Sequence, residues 1–199
     1  TLAEESGLIA EVGLWVRDEA CAQLARWKAE GLFTGVMAIN VSALEFRDHR
    51  LVDSLREAMA RHGIAPQEVE VELTESALMA DSDTSLRIID RLVELGVRLA
   101  IDDFGTGYSS LAALKRLPVS KLKIDMSFVR DMLDKPEDHT IVHTIISMAR
   151  ALRLRTLAEG VEHGAQADVL QALGCDQVQG WYRGRAVPGD VFATQWLTD

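Results

Sequence analysis

Short apolar runs rich in β-branched residues alternate along the chain with longer amphipathic stretches. The pattern predicts six strands, at residues 36–41, 69–73, 97–101, 121–125, 155–158 and 176–181. Helical patterns precede and separate these strands, at residues 5–30, 48–62, 83–95, 109–116, 137–153 and 163–173. Strands that alternate with helices through short connections are typical of a parallel sheet with crossover helices.

Two of the predicted strands are charged on one face. In the run 69–74, Val, Val and Leu alternate with Glu, Glu and Thr, and the run 121–125 alternates Lys, Lys and Asp with Leu and Ile. A doubly wound sheet is covered by helices on both faces and needs apolar strands, so the charged face favours a barrel with a polar site. A (βα)8 barrel has eight strands and usually more than roughly 200 residues. We therefore expect a modified TIM-like (βα)8 barrel, here lacking its first strand or strands, as a single domain over 1–199.

Composition and charge narrow the class of protein. The chain has 31 acidic and 21 Lys or Arg residues, a net charge of −10, which argues against duplex nucleic acid as a partner. It has no run of eighteen apolar residues and no basic start before an apolar segment, so we expect neither a membrane span nor a signal peptide. Cys21 and Cys175 fit two thiols in a reducing cytosol better than one disulfide. The sequence thus predicts a cytoplasmic protein.

Polar side chains recur where the predicted strands end, and in a barrel these ends form the active-site rim. The residues at these ends are Asn40, Glu72, Asp102, Asp103, Lys123, Glu159 and Gln179. So many carboxylates around one opening would repel each other without cations, and their oxygens suit Mg²⁺ or Mn²⁺. The adjacent Asp102 and Asp103 could bridge two metals, an arrangement used to cleave phosphodiesters. The alternative is that these acids are helix caps and loop residues.

The segment 102–110 follows a strand and contains a Gly-Thr-Gly turn, which alone is weak support for a phosphate site. Glu75 is placed to hold this loop by hydrogen bonds, or else to cap the turn at 77–80 as an exposed acid. His139 and His143 have the spacing of a helical metal pair, but no third ligand accompanies them. We expect these histidines to be structural.

Six sequence strings together resemble the EAL family, whose members are phosphodiesterases of the bacterial second messenger cyclic di-GMP. They are INVS (39–42), VELTES (71–76), IDDFGTGYSSL (101–111), LKID (122–125), AEGVE (158–162) and GCDQVQG (174–180). The resemblance implies a modified barrel, a two-metal Mg²⁺ or Mn²⁺ site, and hydrolysis of cyclic di-GMP to linear pGpG. It also implies a homodimer, upstream sensory or GGDEF domains, and a role in bacterial signal transduction and biofilm control.

The resemblance also implies a role for each matching residue. Asn40, Glu72 and Asp102 would bind one metal, and Asp102, Asp103 and Glu159 the second. Lys123 would orient the attacking water, with Glu159, Glu162 and Gln179 contributing to catalysis, and Asp125, Gln179 and Arg185 would contact substrate. Glu75 would hold the loop 103–110, which contains Phe104, Gly105, Thr106 and Gly107. This loop would couple the metal site to the dimer interface.

Some positions depart from the family pattern. The Glu-Ala-Leu signature is missing ahead of Thr1, and its Glu would be a ligand of the first metal. Met126, Trp181 and Ala186 replace the usual Arg, Tyr and Pro, changes that bear on substrate affinity or packing. A catalytically inactive receptor for cyclic di-GMP is therefore the main alternative to an enzyme. An unrelated barrel of the aldolase or enolase kind fits the carboxylates but not the loop sequence.

Overall fold

The computed structural model describes residues 2–79, 83–107 and 114–198. In chain order its helices and strands are α1 (Leu2–Glu5), α2 (Ile9–Ala29), β1 (Met37–Val41), α3 (Arg50–His62), β2 (Val69–Thr74), α4 (Glu75–Met79), α5 (Asp83–Leu95), β3 (Arg98–Phe104), β4 (Lys121–Ile124), α6 (Met126–Asp131), α7 (Pro136–Ala151), β5 (Arg155–Ala158), α8 (Gly164–Leu173), β6 (Gln177–Val178) and α9 (Gly189–Trp196), with 3-10 turns at Glu45–Arg47 and Pro66–Glu68.

All six predicted strands are present, but four of them end elsewhere than predicted, and β2 ends one residue later, at Thr74. β3 continues to Phe104, and β6 is only two residues long. β4 ends at Ile124 because the Asp125 side chain accepts a hydrogen bond from the Ser127 backbone N–H (2.8 Å) and caps α6. The predicted helix at 109–116 lies largely outside the described residues. The short helices α4, α6 and α9 were not predicted.

The described chain forms two compact units, of which the first lies within residues 1–73, 80–98 and 186–199. Here β1 and β2 pair in parallel, with Asn40 opposite Glu72. The amphipathic helices α2 and α3 pack together and bury Leu24 and Leu55. The Trp27 ring lies 5.4 Å from that of Phe192, so the last helix joins this core.

The second unit lies within residues 74–79 and 99–185 and contains the parallel strand order β3–β4–β5–β6. β4 is buried on both of its faces. Leu122 and Ile124 are fully buried on one face, and Lys121 and Lys123 are only 7% and 2% exposed on the other. The charged face of this strand is therefore an interior face, and lysines buried so deeply need anionic partners.

Candidate active site

A bulge at the end of β3 brings two adjacent carboxylates to one place. Neighbouring residues of a regular strand point to opposite faces, but the register of β3 against β4 shifts between Ile101 and Phe104. Asp103 has a φ of 53°, in the left-handed region, and its N–H donates to Asp102 Oδ1 (3.1 Å). The bulge re-aims both side chains. Oxygens of Asp102, Asp103 and Glu159 consequently all lie within 4.8 Å of one another.

Lys123 lies between two of these carboxylates. Its Nζ is 2.8 Å from Asp102 Oδ1 and 2.9 Å from Glu159 Oε1. Lys123 comes from the interior face of β4 and Glu159 follows β5, and the Glu159 N–H donates to the Ile124 carbonyl (3.1 Å). The ammonium group is thus fixed at the carboxyl ends of three neighbouring strands.

Burial, together with neighbouring negative charge, raises the pKa of two carboxyl groups in this cluster. Burial raises the pKa of Glu159 to about 7, with Asp102 adding to the rise and Lys123 opposing it. Burial also raises the pKa of Asp103, as do the charge of Asp102 and a hydrogen bond to Asp125. Carboxyl groups that resist losing their protons in this way would be stabilised as anions by a cation placed among them.

The donor set fits a hard divalent metal. Three carboxylates offer oxygens close enough to share one ion, which is the ligand chemistry of Mg²⁺ and Mn²⁺. Within 2–79, 83–107 and 114–198, this is the one group of three or more His, Cys, Asp or Glu side chains with that spacing. His139 and His143 belong to no such group there.

Glu75 contacts the loop that follows β3. The residue begins α4, its side chain is 2% exposed, and its Oε2 accepts a hydrogen bond from the Gly105 N–H (2.9 Å). The Glu75 carboxylate also lies against Gly107, where an added Cβ would be 2.8 Å from Oε1. Thr106 closes the loop by donating from Oγ1 to the Asp103 carbonyl (2.9 Å), and Phe104 is buried beside it.

The remaining predicted site residues lie on the first two strands or after the last two. In the first unit, Asn40 and Glu72 are opposite each other on β1 and β2, and Glu72 is buried. In the second unit, Glu162 and Gln179 are exposed, and the Gln179 N–H donates to the Ala158 carbonyl (2.9 Å). Arg185 lies over the ring of Trp181.

Sequence reasoning missed Gln166, a buried side chain that fixes the segment after Glu159. Its Oε1 accepts from the N–H groups of Glu162 (2.9 Å) and His163 (3.0 Å), and its Nε2 donates to the Val129 carbonyl (3.0 Å). A glutamine three residues into a helix is part of the capping-box pattern, so the signal was present at the start of α8.

Comparison with known proteins places this geometry in a family. The EAL domain profile matches residues 1–186. The chain belongs to the EAL-domain family. It is 47% identical over 189 residues to the bifunctional diguanylate cyclase/cyclic di-GMP phosphodiesterase MucR of Pseudomonas aeruginosa, covering 95% of this chain and 28% of that protein. It is 42% identical to the cyclic di-GMP phosphodiesterase NbdA of the same organism, covering 94% and 24%. The chain thus spans about a quarter of these relatives.

Solved EAL structures share the fold. The structure described as the PaMucR phosphodiesterase in complex with c-di-GMP superposes with a TM-score of 0.93 at 46% identity, covering 96% of this chain and 77% of that one. The EAL domain of Mycobacterium smegmatis DcpA superposes with a TM-score of 0.87 at 40% identity, covering 93% and 83%. The predicted fold, a modified TIM-like (βα)8 barrel lacking its first strands, is confirmed.

Two further predictions can be compared with the described residues. None of the helices described there is long and apolar enough to cross a lipid bilayer. Cys21 and Cys175 are both free thiols, and burial raises the pKa of the Cys21 thiol to about 11. A thiol with so high a pKa is a poor nucleophile near neutral pH.

Proposed function

We propose that this EAL domain hydrolyses cyclic di-GMP to linear pGpG in a reaction that depends on Mg²⁺ or Mn²⁺. The observation that carries the proposal is Lys123, held 2.8 Å from Asp102 and 2.9 Å from Glu159 within a group of three carboxylates. In the reaction, water adds to phosphorus, one P–O bond of the ring breaks, and the leaving oxygen takes up a proton. The name of the relative MucR and the c-di-GMP in the PaMucR complex support this choice of substrate.

The carboxylates would hold the metal. Asp102, Asp103 and Glu159 are its ligands in this proposal, and the family resemblance adds Asn40 and Glu72 as metal-binding residues. A bound divalent ion supplies Lewis-acid activation of water and neutralises charge on the phosphate oxygens. Glu159 and Asp103 must be ionised to bind it, and the same ion favours their ionisation.

Lys123 has two tasks in this proposal. Its ammonium neutralises part of the charge of Asp102 and Glu159, and it would orient the attacking water, as the family resemblance implies. Because the side chain is 3% exposed and its Nζ is held by two ion pairs, the group is positioned before substrate arrives. The resemblance gives Glu162 and Gln179 supporting roles in catalysis, and Asp125, Gln179 and Arg185 contacts with substrate.

The hydrogen bond that the Gly105 N–H donates to Glu75 supports the role that the resemblance gives Glu75, which is to hold this loop. We propose that the loop at 104–107 couples the site to a homodimer interface, as the resemblance implies. Upstream sensory or GGDEF domains and a cytoplasmic location are likewise proposed for the whole protein. Light scattering and sedimentation of the chain at several concentrations will show whether it forms a dimer.

The test is chromatographic. The 199-residue chain is incubated with cyclic di-GMP and Mg²⁺, and pGpG is quantified, with Asp102→Asn as the inactive variant. Asp134→Asn is the matched control because Asp134 is an exposed carboxylate of the same unit. We expect product from wild type and Asp134→Asn, and none from Asp102→Asn. Binding of cyclic di-GMP without any product would favour the receptor alternative, and turnover by Asp102→Asn would overturn the assigned site.

A further inference from the structure

An exposed aromatic ring with an arginine stacked on it follows the last predicted catalytic residue. Trp181 is 59% exposed, although the guanidinium carbon of Arg185 lies 4.2 Å from the centre of its ring. The intervening residues form a tight turn, in which the N–H groups of Arg183 and Gly184 both donate to the Gly180 carbonyl (3.0 and 3.2 Å). The turn brings Arg185 back over Trp181, four residues earlier.

Backbone contacts fix this turn beside the segment that carries Glu159. The Val161 N–H donates to the Gln179 carbonyl (3.0 Å), and the Tyr182 N–H donates to the Val161 carbonyl (2.9 Å). Gly180 permits the approach, since an added Cβ would lie 2.3 Å from the Val161 carbonyl oxygen. The backbone on both sides of Trp181 is therefore bonded to Val161, two positions after Glu159.

The arrangement is unusual for a ring that serves packing. A structural tryptophan buries most of its surface, whereas more than half of Trp181 stays in water even with a cation covering part of one face. Proteins bind unpaired bases by stacking them on exposed aromatic rings, and this stacking does not depend on which base is present. Arginine adds paired donors that match a phosphate or the O6 and N7 atoms of guanine.

We propose that Trp181, with Arg185 stacked on it, is a base-stacking platform for one guanine of the dinucleotide. The proposal rests on cyclic di-GMP being the ligand of the domain, and it adds a binding residue to the site. The indole supplies the stacking surface, and Arg185 both holds the indole in place and donates hydrogen bonds to the nucleotide. Trp181 binds substrate in this account and takes no part in bond cleavage.

The test compares Trp181→Ala and Trp181→Phe with wild type in steady-state hydrolysis of cyclic di-GMP. Trp15→Ala is the matched control, because Trp15 is a similarly exposed tryptophan in the other unit (65%). Losing one stacked base costs roughly 10-fold in affinity. We therefore expect Trp181→Ala to raise KM about 10-fold with kcat changed less than about 2-fold. Trp181→Phe keeps a ring and should raise KM less, and Trp15→Ala should match wild type.

Calorimetric titration with cyclic di-GMP separates this proposal from the proposed activity. If wild type binds the nucleotide without hydrolysing it, the platform still predicts a Kd about 10-fold weaker for Trp181→Ala. An unchanged KM and Kd in Trp181→Ala would overturn the platform and leave the activity standing. A kcat that falls as far as kcat/KM would also overturn it, since that pattern belongs to a residue acting only in the transition state. A wild-type chain with no affinity for cyclic di-GMP would overturn both.

Discussion

Replacing Glu159 with glutamine should change how the stability of the metal-free protein depends on pH. The ordinary pKa of a glutamate is 4.5, and that of Glu159 in the folded chain is about 7. Because the folded state holds this proton more tightly than the unfolded chain, the wild-type free energy of unfolding falls as pH rises between these two values. Well above pH 7 the loss is complete, and well below pH 4.5 it is absent.

The size of the effect follows from the two pKa values. A difference of one in the pKa of a group corresponds to about 1.4 kcal/mol, and integrating between about pH 5 and about pH 8 gives roughly 2.5 kcal/mol. The Glu159 side chain is 19% exposed, and solvent screening lowers this figure to about 2 kcal/mol. Glutamine does not ionise, so this part of the pH dependence should vanish in Glu159→Gln. Glutamine resembles the protonated glutamate in shape, so other effects of the substitution shift the stability of the variant by a similar amount at every pH and leave the slope comparison intact.

The measurement is urea unfolding in EDTA at several pH values for wild type, Glu159→Gln and the control Glu57→Gln, which removes an exposed carboxylate. The difference in the free energy of unfolding between wild type and Glu159→Gln should change by about 2 kcal/mol across the pH range, in favour of the variant at high pH. The corresponding difference for Glu57→Gln should stay nearly constant. If the free energies of unfolding of wild type and Glu159→Gln change in parallel with pH, the account of Glu159 as a crowded, partly buried carboxylate is refuted.

Three further outcomes are expected. Lys123→Met should lower kcat at least about 100-fold with a smaller change in KM, because it removes a positioned donor. The measurement is the rate of pGpG formation, and equal losses in binding and turnover would contradict this role. Glu75→Ala should lower kcat and speed proteolysis within 104–107, because it leaves the Gly105 N–H without its acceptor (2.9 Å). Glu75→Gln should recover part of both properties. Wild-type behaviour of Glu75→Ala would refute the coupling of this loop to the site. Ca²⁺ should bind but support little turnover, because its coordination is looser than that of Mg²⁺; equal rates with both ions would exclude that geometric argument.

The order and type of the main elements could be predicted from the sequence because the periods of the apolar residues are clear. The helix Asp83–Leu95 was predicted with its observed bounds, and Arg155–Ala158 likewise. The end of β4 was placed one residue too late because Asp125 continues the alternation of that strand, yet serves as a helix cap. Local hydrogen bonding decided that boundary, and hydrophobic periodicity does not register it.

The identity of the carboxylates could be predicted from their places at strand ends, but their convergence could not. In a regular strand, Asp102 and Asp103 would point to opposite faces. Their oxygens lie close together only because the register shifts there and Asp103 adopts a left-handed backbone. Sequence patterns predict that a strand is present, whereas a bulge depends on how two strands fit together. The pairing of Trp181 with Arg185 similarly depends on a turn whose geometry the spacing alone does not specify.

Asp125 gives the carboxylate cluster a reporter that is independent of catalysis. Its carboxylate caps α6 through the Ser127 N–H and also bonds to Asp103. A cation bound by Asp103 would compete with that second bond, so Asp125 would be left to serve the cap alone. The protection of the Ser127 amide against deuterium exchange should therefore change on adding metal. Local opening at the first turn of one short helix thus becomes a measure of ion occupancy in the absence of any nucleotide.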